Sequence, residues 1–364
     1  MRFVKTDELK NGMRIARPIY NKKGVLLYDR DSKLTGASIE SIKNFGLIGI
    51  YVLDPAEPLP PMTDEDREFE RFQTVNVFAL EAEFKEILAS KRVHKLENIG
   101  NAIISAYGHL YDPINFIQNI RSREDFVCKH ALNVGILVAM MSNRMNLPIN
   151  ERLEVMNAAL LHDIGKMTVT ASMISNESAE SVERIYETAE QAGYSIIDDL
   201  FSSQPGVKRI CMQTNSVLMD LKYDRITERP KIVTGTRLLT VADTFDTLTS
   251  MSVINDDEPK SYIMALKYLY DHPEVFHPKA VEALVDSVVF LSEGTSVELS
   301  NGSKALVVSK NVANVLKPVV LDFSTNELMD LSDKVMYGDI YIVDNVKTMD
   351  ERYVMDPGAV GSGK

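Results

Sequence analysis

The sequence predicts a mostly α-helical protein: a central all-helical domain with a small α/β module before it and a small β-rich unit after it. Three observations carry this expectation. Residues 113–291 show dense helical periodicity and almost no strand signal. Both flanks show short apolar runs broken by polar turns. Between the first flank and the helices lies Asp54-Pro55-Ala56-Glu57-Pro58-Leu59-Pro60-Pro61, whose prolines fit neither a helix interior nor a central strand. A chain of 364 residues suits two or three domains.

Residues 1–53 read as the N-terminal module. Met13-Arg14-Ile15-Ala16 and Gly24-Val25-Leu26-Leu27-Tyr28 flank the polar turn Asn21-Lys22-Lys23-Gly24, the pattern of a hairpin. An amphipathic stretch over 38–45 leads into the β-rich run Ile48-Gly49-Ile50-Tyr51-Val52. Residues 54–112 combine the proline-rich linker with connecting helices, in which Phe78, Leu80, Phe84, Ile87 and Leu88 fall near one face. The helical domain occupies 113–291. In the β-rich unit, 292–346, Ser296-Val297-Glu298-Leu299 and Ala305-Leu306-Val307-Val308-Ser309 bracket the turn Ser300-Asn301-Gly302-Ser303. Residues 317–321 and 340–343 add two strands. Residues 347–364 read as a loose tail, and its Gly363-Lys364 ending has no helix after it to hold a phosphate.

Bulk properties exclude several classes of function. The formal charge of −12 opposes general attraction to DNA or RNA, and with no Trp there is no obvious stacking platform. No apolar run approaches the roughly 20 residues that cross a bilayer. The quickly charged N-terminus has no apolar signal core. Two cysteines, Cys128 and Cys211, provide no disulfide framework, so a cytoplasmic location is expected.

Four residues of the helical domain suggest chemistry. His130 lies in an amphipathic segment, His162 and Asp163 end the run 153–161, and Asp243 sits within Leu238-Leu239-Thr240-Val241-Ala242-Asp243-Thr244-Phe245. Asp163 and Asp243 interrupt stretches that expect burial, and a buried carboxylate needs a partner or becomes neutral. A divalent metal shared with two imidazoles is one such partner. His162 and Asp163, being adjacent, share an ion only if it lies in the crevice between their directions. Two imidazoles and two carboxylates leave positions open for water, which suits Mn, Fe, Mg or Ni-like chemistry better than structural zinc. Such an ion acidifies water for attack on phosphorus, and Lys166 is placed to neutralise a phosphate oxygen. Ordinary packing explains any single member of the set equally well. Cys128 and Cys211 read as core. His94, His109, His272 and His277 read as surface or structural residues, and Lys208 with Arg209 as a solvated face. Asp246, one turn from Asp243, either supports the site from behind a ligand or has no role in it.

Leu160-Leu161-His162-Asp163-Ile164-Gly165-Lys166 resembles the signature of HD-domain metal phosphohydrolases. Val241-Ala242-Asp243-Thr244-Phe245-Asp246-Thr247-Leu248-Thr249-Ser250 resembles the corresponding segment of the HD-GYP branch. Lys129-His130-Ala131-Leu132-Asn133-Val134 resembles the family's first-ligand segment, and Phe276-His277-Pro278-Lys279-Ala280-Val281-Glu282-Ala283-Leu284 its closing helix. The resemblance covers roughly 1–291. It implies an HD-type fold, a metal site at His130, His162, Asp163 and Asp243, and kinship with proteins that hydrolyse cyclic di-GMP at two or three metals.

The chain departs from that pattern. Ala189 stands where the family has a further histidine, Thr214 and Asn215 where it has a histidine pair, and of the GYP tripeptide only Tyr223 remains. Ala has no donor, and neutral Thr and Asn are poor ligands for a first-row metal. At most one tightly held divalent ion is expected, with Asp163 and Lys166 as the catalytic pair if the site is active. Three readings follow. One is a degenerate signalling protein that binds cyclic di-GMP, another nucleotide or a protein partner, with a homodimer compatible. Another is an active one-metal phosphohydrolase, and the last is a structural interaction protein.

Overall fold

The computed structural model describes residues 2–21, 25–45, 47, 49–53, 63–226, 228, 231–252, 258–311 and 313–346. They form a helical unit, Asp64–Phe290, and a second unit combining the two flanks. The expected proline-rich boundary and the tail over 347–364 lie outside the described residues, apart from its neighbour Thr63.

The N-terminal flank contains β1 (Arg2–Lys5), β2 (Arg14–Ile15), β3 (Ile19–Tyr20), β4 (Leu26–Tyr28), α1 (Gly36–Asn44) and β5 (Gly49–Leu53). Antiparallel β1 and β2 sit on either side of β5, while β3 pairs with β4. The expected hairpin is present with a different first arm: Tyr20 and Ile19, not Met13–Ala16, face β4. Pro18 accounts for the change, because a residue without an N–H divides one apolar run into two short strands. Thr35 and Ser38 close a capping box that starts α1.

The helical unit runs through α2 (Asp64–Ser90), α3 (Leu96–Tyr107), α4 (Phe126–Arg144), α5 (Ile149–Leu161), α6 (Ala171–Ile174), α7 (Ala179–Leu200), α8 (Pro205–Lys222), α9 (Thr234–Thr249), α10 (Tyr262–Asp271) and α11 (Pro278–Val285). Helices α2 and α3 pack on α4 within this unit. Leu80, Phe84 and Ile87 are fully buried on the α2 face that the periodicity marks. Helix α4 packs against α2, α3, α5, α9 and α11. By length and apolarity α4 would also suit a membrane span, but 15 of its 19 residues are buried inside this unit, the signature of a core helix. Full burial of each of its Leu, Ile and Val side chains contributes about 1.5–3 kcal/mol. An isolated bridge between Ile114 and Val288 ties the segment before α4 to the end of the unit.

The C-terminal flank forms an antiparallel sheet in the order β10-β6-β7-β8-β9, from β6 (Ser296–Leu299), β7 (Lys304–Ser309), β8 (Val319–Asp322), β9 (Leu328–Asp330) and β10 (Ile342–Asn345), with the short α12 (Lys334–Tyr337) before β10. The hairpin expected around 300–303 joins β6 to β7. Strand β9 has no counterpart in the sequence reading; at three residues its alternation is too brief to register.

Candidate metal centre

The first imidazole comes from the middle of α4, where 15 of 19 residues are buried and His130 and Asn133 are polar exceptions. The second comes from the C-cap of α5. There the α-helix stops at Leu161, and a 3-10 turn, Ile164–Thr168, takes over. Asp163 sits at the junction with φ −103° and ψ 6°. That change of helix type lets two adjacent side chains converge, with His162 Nε2 3.8 Å from Asp163 Oδ1. Asp243 arrives from α9, which crosses both α4 and α5.

The structure therefore brings all four predicted residues together. The Nε2 atoms of His130 and His162 are 3.0 Å apart. Asp243 Oδ1 lies 3.1 Å from His130 Nε2 and 3.9 Å from His162 Nε2. Asp163 Oδ2 lies 3.8 Å from His130 Nε2. Asp243 is the most open member, its side chain 14% exposed against 6% for Asp163 and His130.

Hydrogen bonding assigns the histidine protons. His162 Nδ1 donates to the Ala159 carbonyl at 2.9 Å, since a carbonyl only accepts. His130 Nδ1 donates to Asp246 Oδ2 at 2.6 Å. With both Nδ1 atoms protonated, each neutral ring turns an Nε2 lone pair toward the other, and only a cation between or beside them relieves the repulsion. In the metal-free protein a proton serves. Burial alone would lower the His130 pKa, but bonds to Asp243 and Asp246 outweigh it and raise the value from 6.5 to about 9.

The donors fit a single metal ion. Ligand bonds of about 2.1 Å place cis donors about 3.0 Å apart and trans donors about 4.2 Å apart, and every separation above falls within that span. His130, His162 and Asp163 can hold a divalent ion; Asp243 stands beside both imidazoles but outside that three-residue group. Burial works against the carboxylates of Asp163 and Asp243, yet the cations around them keep both below their ordinary pKa and therefore ionised.

Behind His130 lies a network that the sequence left open or missed. Asp246 is fully buried; its Oδ1 accepts from Asn133 Nδ2 at 2.8 Å and Gln118 Nε2 at 3.0 Å, and its Oδ2 from Arg121 and His130. Gln73 Nε2 on α2 donates to Asn133 Oδ1 at 2.8 Å. Of the two roles open to Asp246, the contacts fit the first, since its Oδ2 bonds His130 Nδ1. Asn133 carries a detectable signal, a carboxamide one turn from a histidine in an otherwise apolar helix. Gln73, Gln118 and Arg121 carry none, because their segments are otherwise unremarkable polar sequence.

Lys166 lies beside Asp163, its Nζ 2.7 Å from Asp163 Oδ1 and 3.0 Å from Glu190 Oε2. Glu190 comes from α7, which touches the 3-10 turn so closely that a Cβ on Gly165 would stand 1.9 Å from the Ala189 carbonyl oxygen. Ala189 and Thr214 are buried, and Asn215 Nδ2 donates to Glu190 Oε1 at 2.5 Å. Tyr223 is 49% exposed, with Lys222 and Arg225 over its ring, so it is a surface residue. Both cysteines are free and buried; burial drives the Cys128 thiol pKa up to about 12 and Cys211 upward too, which makes them inert.

Residues 115–277 match the family model described as the HD domain, a span that contains His130, His162, Asp163 and Asp243. No curated protein matches the chain. Among solved structures, Bd1817, a HDG"Y"P protein from Bdellovibrio bacteriovorus, is 15% identical with a TM-score of 0.44; the alignment covers 78% of this chain and 98% of that one.

Proposed function

We propose that this chain, which matches the HD domain over residues 115–277, is a cytoplasmic HD-GYP-like signalling protein that holds one divalent metal and binds a phosphorylated nucleotide without hydrolysing it. The observation that carries this reading is the pair of Nε2 atoms 3.0 Å apart, each aimed by a bond on its Nδ1, with Asp163 and Asp243 beside them. When bound, a divalent ion supplies Lewis acidity to a phosphoryl oxygen and lowers the pKa of water next to it. The chain's own residues do the rest. Asp246 and the Ala159 carbonyl orient the two rings, and Lys166 holds a positive charge against Asp163. Cyclic di-GMP is the first nucleotide to try, because the resemblance runs to proteins that act on it. What supports binding over hydrolysis is the side-chain chemistry of Ala189, Thr214 and Asn215, which offer no imidazole for a second ion.

A one-metal phosphohydrolase is the alternative, favoured by the exposed edge at Asp243, with Asp163 and Lys166 as its catalytic pair. Titration calorimetry with cyclic di-GMP, paired with turnover of bis(4-nitrophenyl) phosphate by wild type and His162→Ala, separates the readings. Nucleotide binding without turnover supports the proposal. Turnover that vanishes in His162→Ala replaces it with the alternative. A bound metal with neither activity leaves a structural protein whose output is a protein partner.

A further inference from the structure

Asp163 presents its two oxygens to different neighbours. Oδ2 faces His130 at 3.8 Å, while Oδ1 lies 2.7 Å from the Lys166 ammonium. The ammonium is shared with Glu190 Oε2 at 3.0 Å, and Glu190 is itself held, its Oε1 accepting from Asn215 at 2.5 Å and from the Tyr194 hydroxyl at 3.1 Å. The Lys166 ammonium is therefore bonded to two carboxylates at once.

Charge counting gives this arrangement a consequence. With both imidazoles neutral, the carboxylates of Asp163, Asp243, Asp246 and Glu190 face, among the described residues, the cations Lys166 and Arg121, leaving a net charge of −2. One divalent ion neutralises that; a second would add two uncompensated positive charges in a water-poor site. Two-metal sites place a cation on each side of a shared carboxylate. Building on the one-metal reading above, we infer that Lys166 is a resident cation that occupies the second side of Asp163, and that Glu190, anchored by Asn215 and Tyr194, is its positioning residue. The ammonium that Glu190 holds on Asp163 Oδ1 thereby sets the charge that the first ion meets.

Mn2+ binding to the full chain by equilibrium dialysis tests this, with folding checked by circular dichroism. Wild type is expected to bind one ion per chain. Lys166→Met should bind the first ion at least about tenfold more tightly and Glu190→Gln at least about tenfold more weakly, because the two changes alter the local charge in opposite directions. The double variant should return near wild type, and Lys166→Arg should keep the wild-type stoichiometry. Should Lys166→Met not fold, Glu190→Gln against Glu190→Asp carries the test alone, with weakening required in the first and rescue in the second. One ion in wild type with affinity indifferent to these charges overturns the inference and spares the one-metal reading, whereas a second wild-type ion overturns both. No Mn2+ in wild type overturns both.

Discussion

Helices α4 and α9 differ sharply from α7 and α8, although all four stand near the metal centre. Burial takes 15 of 19 residues in α4 and 11 of 16 in α9, but only 5 of 22 in α7 and 5 of 18 in α8. The first pair forms the interior and carries His130, Asp243 and Asp246. The second pair covers it, each helix touching the site along one stripe. A polar group on an interior helix has no water to fall back on, so each one there must be satisfied by protein. The difference teaches that the ligands are held by a saturated network, whereas the Glu190 side is held by a few contacts that sequence change can alter cheaply.

The sharpest way to break the contrast is Asp246→Ala. It leaves Arg121, Asn133, Gln118 and His130 without their common acceptor and should cost roughly 3–5 kcal/mol in urea unfolding. Tyr194→Phe on the covering side loses one bond to Glu190 and should cost about 1 kcal/mol. Similar losses in the two variants would erase the distinction.

Next comes the joint between the halves. Gly165→Ala drives a Cβ into the Ala189 carbonyl, so the 3-10 turn and α7 must separate, at about 1–3 kcal/mol. Mn2+ affinity should fall with it, since Asp163 lies two residues away; an unchanged melting temperature and affinity would show that the contact is slack.

A pH series sharpens the picture of the interior. The folded pKa of His130 stands above its ordinary 6.5, so its contribution to metal-free stability is complete below pH 6.5 and is lost as pH rises through about 9. Metal affinity runs the other way, because ligation needs the deprotonated ring. Between pH 7 and 9 it should rise about tenfold per unit, read by calorimetry at several pH values. A flat profile would mean that His130 is already neutral.

The smallest effect is expected at the start of α7. Ser178 caps this helix by accepting from the Ser181 N–H at 3.2 Å, and Ser178→Ala should cost about 0.5–1 kcal/mol by thermal melting. Metal affinity should not change; a loss there would mean that the whole of α7 reports to the site.

Much of this molecule was legible from residue order. The helical core, the C-terminal hairpin and the four residues that gather at the candidate site each rest on a local pattern: apolar periodicity, a turn between alternating runs, and acids or imidazoles in stretches that otherwise expect burial. The N-terminal hairpin was paired with the wrong first arm because Pro18 breaks a run that composition alone presents as one. Asp246 was visible as a residue but not as a role, since being one turn from Asp243 does not say which atom it faces.

By itself, the sequence determined which residues carry charge and imidazole inside an apolar domain, because burying them without a partner is costly at any position. Only the tertiary structure decided who those partners are. Glu190 lies on a mostly exposed amphipathic helix and reaches Lys166 because Gly165 and Gly193 let the 3-10 turn and α7 approach closely. Gln118 and Asn133 bond Asp246 from far along the chain, and Gln73 on α2 bonds Asn133 in turn. Contacts of that kind depend on backbone approach across the domain, which local pattern does not encode.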